Sequence, residues 1–132
     1  MLNKLDHIAI VVPDVDEALE VWRDRFGFQE LFREKVNNDS TLLVHIDLGN
    51  TQLQLVQPLT IDHPLWRWLA QNGSGLHHLC LAVDDVEKAS LELLDSGIAP
   101  GEPKPHQGTQ GKRALFLDEN STGGVQVELT GR

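Results

Sequence analysis

Two stretches of the chain repeat one another: Leu5-Asp6-His7-Ile8-Ala9-Ile10-Val11-Val12 near the start returns as Leu76-His77-His78-Leu79-Cys80-Leu81-Ala82-Val83. With His7 set on His78, an offset of 71 positions also carries Asp14 onto Asp85, Val15 onto Val86, Ala18 onto Ala89 and Asp47 onto Asp118. Near the end the offset is 74, because Gln52-Leu53-Gln54-Leu55 falls on Gln126-Val127-Glu128-Leu129; the turn Asn120-Ser121-Thr122-Gly123-Gly124 is the economical place for the extra residues. An internal duplication narrows the fold to architectures in which one supersecondary unit packs against its own copy. Here it also selects chemistry, since the matched positions include His with His and Gln with Glu, four side chains able to bind a metal.

Each copy opens with a short aliphatic run of strand length, His7 to Val12 and His78 to Val83. A helix follows each. Asp14 and Asp85 are placed to cap the first turns, and Val15, Ala18, Leu19, Trp22 and Phe26 form an apolar stripe at helical spacing. Val86, Ala89, Leu93 and Leu94 repeat that stripe, with Gly27 and Gly97 as stops. Leu42, Val44, Ile46 and Leu48 then alternate with Leu43, His45 and Asp47, and Gly49-Asn50 turns the chain into Thr51 to Leu55. Ala114 to Leu117 and Val125 to Leu129 are the matching pair in the second copy. Phe28 to Val36 reads as a weaker strand, and its counterpart near Ile98 to Lys104 is degraded by Pro100, Pro103 and Pro105. The order β-α-β-β-β therefore occurs twice. This is an α+β chain of two tandem modules, about 4–58 and about 75–130, joined by a connecting helix over about 62–72 that contains Trp66 and Trp68.

A length of 132 residues suits one domain. The net charge of −9 disfavours nucleic acid and anionic membrane, both of which are bound by neutralising phosphate. A local basic pair, Lys112-Arg113, and Lys104 before it still suit a single anionic group on a small molecule. No apolar run approaches the ~20 residues that cross a bilayer, and the start lacks a basic-then-apolar signal, so a cytoplasmic protein is expected. Cys80 is the lone cysteine and sits in an apolar strand, where it reads as a small buried hydrophobe.

Adjacent side chains on a strand point to opposite faces, so His77 and His78 cannot both enter one cavity. The repeat selects His78, which matches His7, whereas His77 matches Asp6. Ala9 and Cys80 lie two residues further along the same faces and are small enough to leave room. Gln52 and Gln54 share one face of their strand, as do Gln126 and Glu128 on theirs. Pairing the modules about a pseudo-twofold axis would bring two imidazoles, one amide oxygen and one carboxylate to a centre. That donor set suits Co2+, Ni2+, Mn2+, Fe2+ or Zn2+, with positions left open for substrate. His45, His63 and His106 have no such support and read as surface residues or residues behind the ligands.

The stretches Leu5 to Ile10, Leu48 to Leu55, Gly75 to Leu81, Gly111 to Leu117 and Ser121 to Leu129 resemble the vicinal oxygen chelate superfamily, and within it most nearly the methylmalonyl-CoA epimerases. The resemblance runs almost end to end. It implies a paired βαβββ fold over 1–132, a curved mixed sheet around a metal site, with His7, Gln54, His78 and Glu128 as ligands and Co2+ the favoured ion. It further implies an isomerase that interconverts (R)- and (S)-methylmalonyl-CoA through a metal-stabilised enolate, an acyl-CoA thioester as substrate and a homodimer as the assembly. A glyoxalase-type lactoylglutathione lyase is the alternative, a non-catalytic sequestering protein is weaker because all four ligand positions are present, and an extradiol dioxygenase comes last.

One departure stands out. Such epimerases usually carry a glutamate acid/base in the loop before the third strand, and the register places Asn38 there, with Asp39 one residue on. A histidine usual before Gly111 is Gln110 here. Glu128 and Asp39 are thus the catalytic pair to expect, with Lys112 and Arg113 as candidates for holding substrate.

Overall fold

The computed structural model describes residues 2–132. Its elements are β1 (Leu2–Val11), α1 (Val15–Leu19), β2 (Gln29–Val36), β3 (Thr41–Asp47), β4 (Gln52–Pro58), α2 (Leu65–Asn72), β5 (Gly75–Val83), α3 (Val86–Leu94), β6 (His106–Gln107), β7 (Arg113–Phe116) and β8 (Val127–Gly131). This is βαβββ written twice with α2 between, the order that the duplication predicts. The chain resolves into two compact units, Ile8–His77 on one side and the residues up to His7 with His78–Arg132 on the other. The chain therefore passes from one unit to the other at His7 and at His78, the pair that the repeat superimposes.

In the Ile8–His77 unit the strand order is β2-β3-β4-β1, with β3 antiparallel to both β2 and β4. Alternation along β3 and β4 sends Val44, Ile46, Leu53 and Leu55 to one face, where they pack with Val12, Val15 and Leu19. The other face carries Ala9, Val11, Leu43 and Val56, packed against Leu65, Trp68 and Leu69 of α2. Asp14 caps α1 as its position predicts, its carboxylate accepting from Asp16 N at 2.9 Å and Glu17 N at 3.4 Å. Beyond Leu19 the helix widens into π-turns over Glu20–Arg25, with Phe26 N donating to Val21 O at 2.9 Å. The extra residue per turn rotates Phe26 off the apolar stripe. Instead of joining the core it is 61% exposed, beside Trp22 and Phe28 with ring centroids 5.1 and 5.9 Å away.

The connecting helix also differs from expectation, starting at Leu65 rather than near Asp62. Pro64 explains this: it fits the entry to a helix but disfavours helical geometry in the residue before it. His63 then takes over the capping. Its Nδ1 accepts from Leu65 N at 3.1 Å while its Nε2 lies 2.7 Å from Thr41 Oγ1.

In the other unit the order is β5-β8-β7-β6, with β5 and β8 parallel and the remaining pairs antiparallel. Val83, Val86, Ala89, Leu93, Leu115, Leu117 and Leu129 form its core, and Leu94, expected in the same stripe, is 48% exposed at the end of α3. Residues 98–105 form no strand apart from a single bridge, Pro100 with Leu117. Three prolines remove the backbone donors a strand needs. The donor left over on β7 is satisfied by a side chain, since Phe116 N donates to Glu102 Oε2 at 2.7 Å. Among the described residues no helix is long and apolar enough to cross a membrane.

Candidate metal centre

Three of the four expected ligands converge within one unit. His7 on β1, His78 on β5 and Glu128 on β8 bring their donor atoms to within 4.8 Å of one another. His78 Nε2 lies 3.5 Å and His7 Nε2 3.9 Å from Glu128 Oε1, and the two imidazoles meet edge to face at 5.6 Å. All three side chains are buried. His77 goes elsewhere, packing edge-on against Trp68 at 5.0 Å, as strand alternation requires.

The imidazole of His7 is held from behind. Asp6 Oδ1 sits 2.8 Å from Nδ1, and that hydrogen bond, against an opposing effect of burial, draws the Asp6 carboxyl below its usual pKa. A proton on Nδ1 leaves the lone pair on Nε2, and Nε2 is buried without a hydrogen-bond partner. A buried basic nitrogen that points at a carboxylate and a second imidazole is what a cation would satisfy, at a cost of about 1–3 kcal/mol if left unmet. The residues therefore fit the divalent ion implied by the resemblance. Burial tends to raise the Glu128 pKa, but the imidazoles of His106 and His78, 3.6 and 3.5 Å from its oxygens, and that of His7 outweigh it and hold the carboxyl well below its ordinary range. An ionised carboxylate is the ligand form.

A second grouping, Asp6, His7 and Cys80, has comparable separations. It is the poorer ligand set. Burial, and then the charges of Glu128 and Asp6, push the Cys80 thiol far up, and Asp6 is already engaged by Nδ1 of His7. Cys80 is fully buried, as its apolar surroundings in the sequence suggest.

Gln54 belongs to the other unit, where it is 4% exposed on β4, directly across from His45 on β3. His45 is not a surface residue. It is 1% exposed, stacks on Phe32 at 4.1 Å, and has Gln52 Oε1 3.1 Å from its Nδ1. The repeat matches this arrangement in the second copy: Phe116 lies across from Glu128 and stacks with His106 at 5.7 Å. In each unit the residue opposite the β4 or β8 ligand position is thus one ring of a His/Phe stack, with the two residue types exchanged.

His106, which in the sequence reads as a surface residue or one behind the ligands, stands behind Glu128. Its Nε2 is 3.6 Å from Glu128 Oε2 and its Nδ1 is 2.9 Å from Glu102 Oε1. The nearby Glu128 carboxylate, more than the charge of Glu102, raises its pKa against the effect of burial. Asp39 is exposed in the β2–β3 turn, where Asn37, Asn38 and Asp39 all adopt left-handed backbone with φ of 54, 56 and 61°. Its repeat partner Gln110 is left-handed as well, with φ of 56°. Lys112 is close enough to Asp6 to help lower its pKa, whereas the Arg113 guanidinium pairs with Glu87 of α3.

A profile of the Glyoxalase/Bleomycin resistance protein/Dioxygenase superfamily matches residues 6–116, and the chain belongs to that superfamily. Within it the chain is 34% identical over 129 residues to the mitochondrial methylmalonyl-CoA epimerase of Mus musculus, a match covering 97% of this chain and 72% of that one. It is 33% identical over 133 residues to the ethylmalonyl-CoA/methylmalonyl-CoA epimerase of Cereibacter sphaeroides, with 98% of each covered. A solved methylmalonyl-CoA epimerase in complex with methylmalonyl-CoA and NH4+ superposes with a TM-score of 0.86 at 31% identity, covering 99% of this chain and 95% of that chain. The chain is a member of the methylmalonyl-CoA epimerase family.

Proposed function

We propose that this chain is a metal-dependent isomerase that interconverts (R)- and (S)-methylmalonyl-CoA. The observation that carries the reading is the convergence of His7 Nε2, His78 Nε2 and Glu128 Oε1 on one buried point. A divalent ion held there supplies a Lewis acid for the oxygens flanking the acidic α-carbon. His7 and His78 hold the ion and move no proton, and Gln54 is proposed as the fourth ligand, whose neutral amide keeps the centre more positive than a second carboxylate would. Epimerisation needs the α-proton removed from one face and a proton returned to the other. Glu128 is assigned to one face and Asp39 to the other. The depressed pKa of Glu128 keeps it ionised, the form its ligand role needs.

Co2+ is the proposed ion, on the donor chemistry and the resemblance together. Lys112 is the better placed of the two basic candidates for an anionic part of the substrate, because Arg113 is already paired with Glu87. A homodimer and a cytoplasmic location complete the proposal.

The test is isotopic. Metal-loaded protein incubated with methylmalonyl-CoA in deuterated water should incorporate deuterium at the α-carbon, read by mass spectrometry, and an absence of exchange would overturn the epimerase reading. Asp39→Asn should lower turnover roughly 100-fold or more while leaving metal content unchanged. A fully active Asp39→Asn enzyme would place the second proton donor elsewhere.

A further inference from the structure

The two oxygens of Glu128 face different neighbours. Oε1 lies 3.5 and 3.9 Å from the Nε2 atoms of His78 and His7, and Oε2 lies 3.6 Å from Nε2 of His106. We propose that His106 is a positioning residue for Glu128: it stands against the outer carboxylate oxygen and so holds the group in one orientation, with Oε1 toward the metal. The inference rests on the metal-centre reading above and extends it to a residue outside the expected ligand set.

The surroundings of His106 are those of a braced group. Both oxygens of Glu102 lie within reach of Nδ1, at 2.9 and 3.0 Å, and one of them also accepts from Phe116 N at 2.7 Å, which ties Glu102 to the backbone of β7. The ring of Phe116 stacks on His106 with planes 19° apart and meets His78 edge-on at 5.2 Å. His106 is thus fixed by a carboxylate on one side and an aromatic face on another, while its third contact is the ligand. A carboxylate free to rotate would alternate between one-oxygen and two-oxygen coordination, and groups behind a ligand that restrict such motion typically change metal affinity by ~10–100-fold. Glu102 belongs to the proline-rich segment 98–105, which forms no strand, and it supplies both contacts.

Two substitutions separate positioning from packing. His106→Phe keeps an aromatic ring to stack on Phe116 but removes both nitrogens, and His106→Gln keeps a polar group toward Glu128 but removes the ring. Each variant and the wild type are titrated with Co2+ against a competing chelator, with the visible d–d spectrum and the melting temperature of the metal-free protein recorded alongside. If His106 positions Glu128, His106→Phe weakens Co2+ binding by ~10–100-fold and alters the d–d bands, while His106→Gln recovers most of the affinity and the native spectrum. Wild-type affinity and spectrum in His106→Phe would overturn the inference, as would a loss confined to His106→Gln, since that pattern marks the ring rather than the nitrogen. Failure of the wild type to bind Co2+ would overturn the metal-centre reading itself, a result distinct from these.

Discussion

Asp6 and His7 show how much a neighbour contributes to a ligand. The carboxylate 2.8 Å from Nδ1 fixes the tautomer and ring orientation of His7 and adds negative charge behind a nitrogen that donates to a cation. Asp6→Ala should therefore lower Co2+ affinity by ~10–100-fold without removing any donor atom from the centre; unchanged affinity in a chelator competition would mean that packing alone orients the ring. The ligands themselves were legible in the sequence because duplication wrote them twice, His7 with His78 and Gln54 with Glu128. His106 was not, for a physical reason. At the repeat offset of 71 it falls on Lys35 of β2 rather than on a histidine, and Pro103 and Pro105 just before it obscure the two-residue strand that carries it. His45 is legible in part: of its two readings, surface residue or residue behind the ligands, strict alternation along β3 favours the second by placing it on the face of Gln54, which is buried.

Among the elements, the helices were found more reliably than their ends. Asp14 and Asp85 start α1 and α3 as their chemistry predicts, but the π-turns after Leu19 carry no obvious signature in side-chain spacing, and Phe26 was misplaced for that reason. The start of α2 depends on His63 as an acceptor, which makes it sensitive to acid. Burial lowers the His63 pKa below its ordinary 6.5, with Asp62 opposing, so the folded state favours the neutral ring. The stabilisation is therefore complete above about pH 6.5 and is lost as pH falls through the lower folded value, because the unfolded chain takes up the proton first. Melting temperature should decline with acidification less steeply in His63→Gln than in wild type; parallel curves would show that the cap does not contribute. Strand packing gives a second test. A Cβ on Gly131 would lie 2.2 Å from Val83 O, where β8 runs beside β5 and backbone cannot yield as a side-chain tip can. Gly131→Ala should cost about 1–3 kcal/mol, read from denaturant unfolding, and a neutral substitution would contradict the close approach of the two strands.

For the whole molecule, the repeat discloses the topology. Periodicity marks where strands and helices lie, whereas compactness depends on which strands pair, and the residues up to His7 group with the second copy. The same long-range organisation makes the metal centre a property of the folded state alone. His7, His78 and Glu128 are widely separated along the chain, so the unfolded protein must close two long loops before it can offer all three donors. An ion that binds the native form and hardly binds the unfolded one stabilises the fold by mass action, by about 2.7 kcal/mol at a free concentration 100 times its Kd. For a chain of this size that corresponds to a rise in melting temperature on the order of 10 °C. Adding Co2+ at that level should produce the rise in wild type, and a chelator should reverse it. His78→Ala loses one donor and the edge-on contact with His7, so its melting temperature should scarcely respond to the same addition. Equal shifts in wild type and His78→Ala would mean that the ion binds elsewhere on a surface carrying a net charge of −9, and the assignment of this centre would fall.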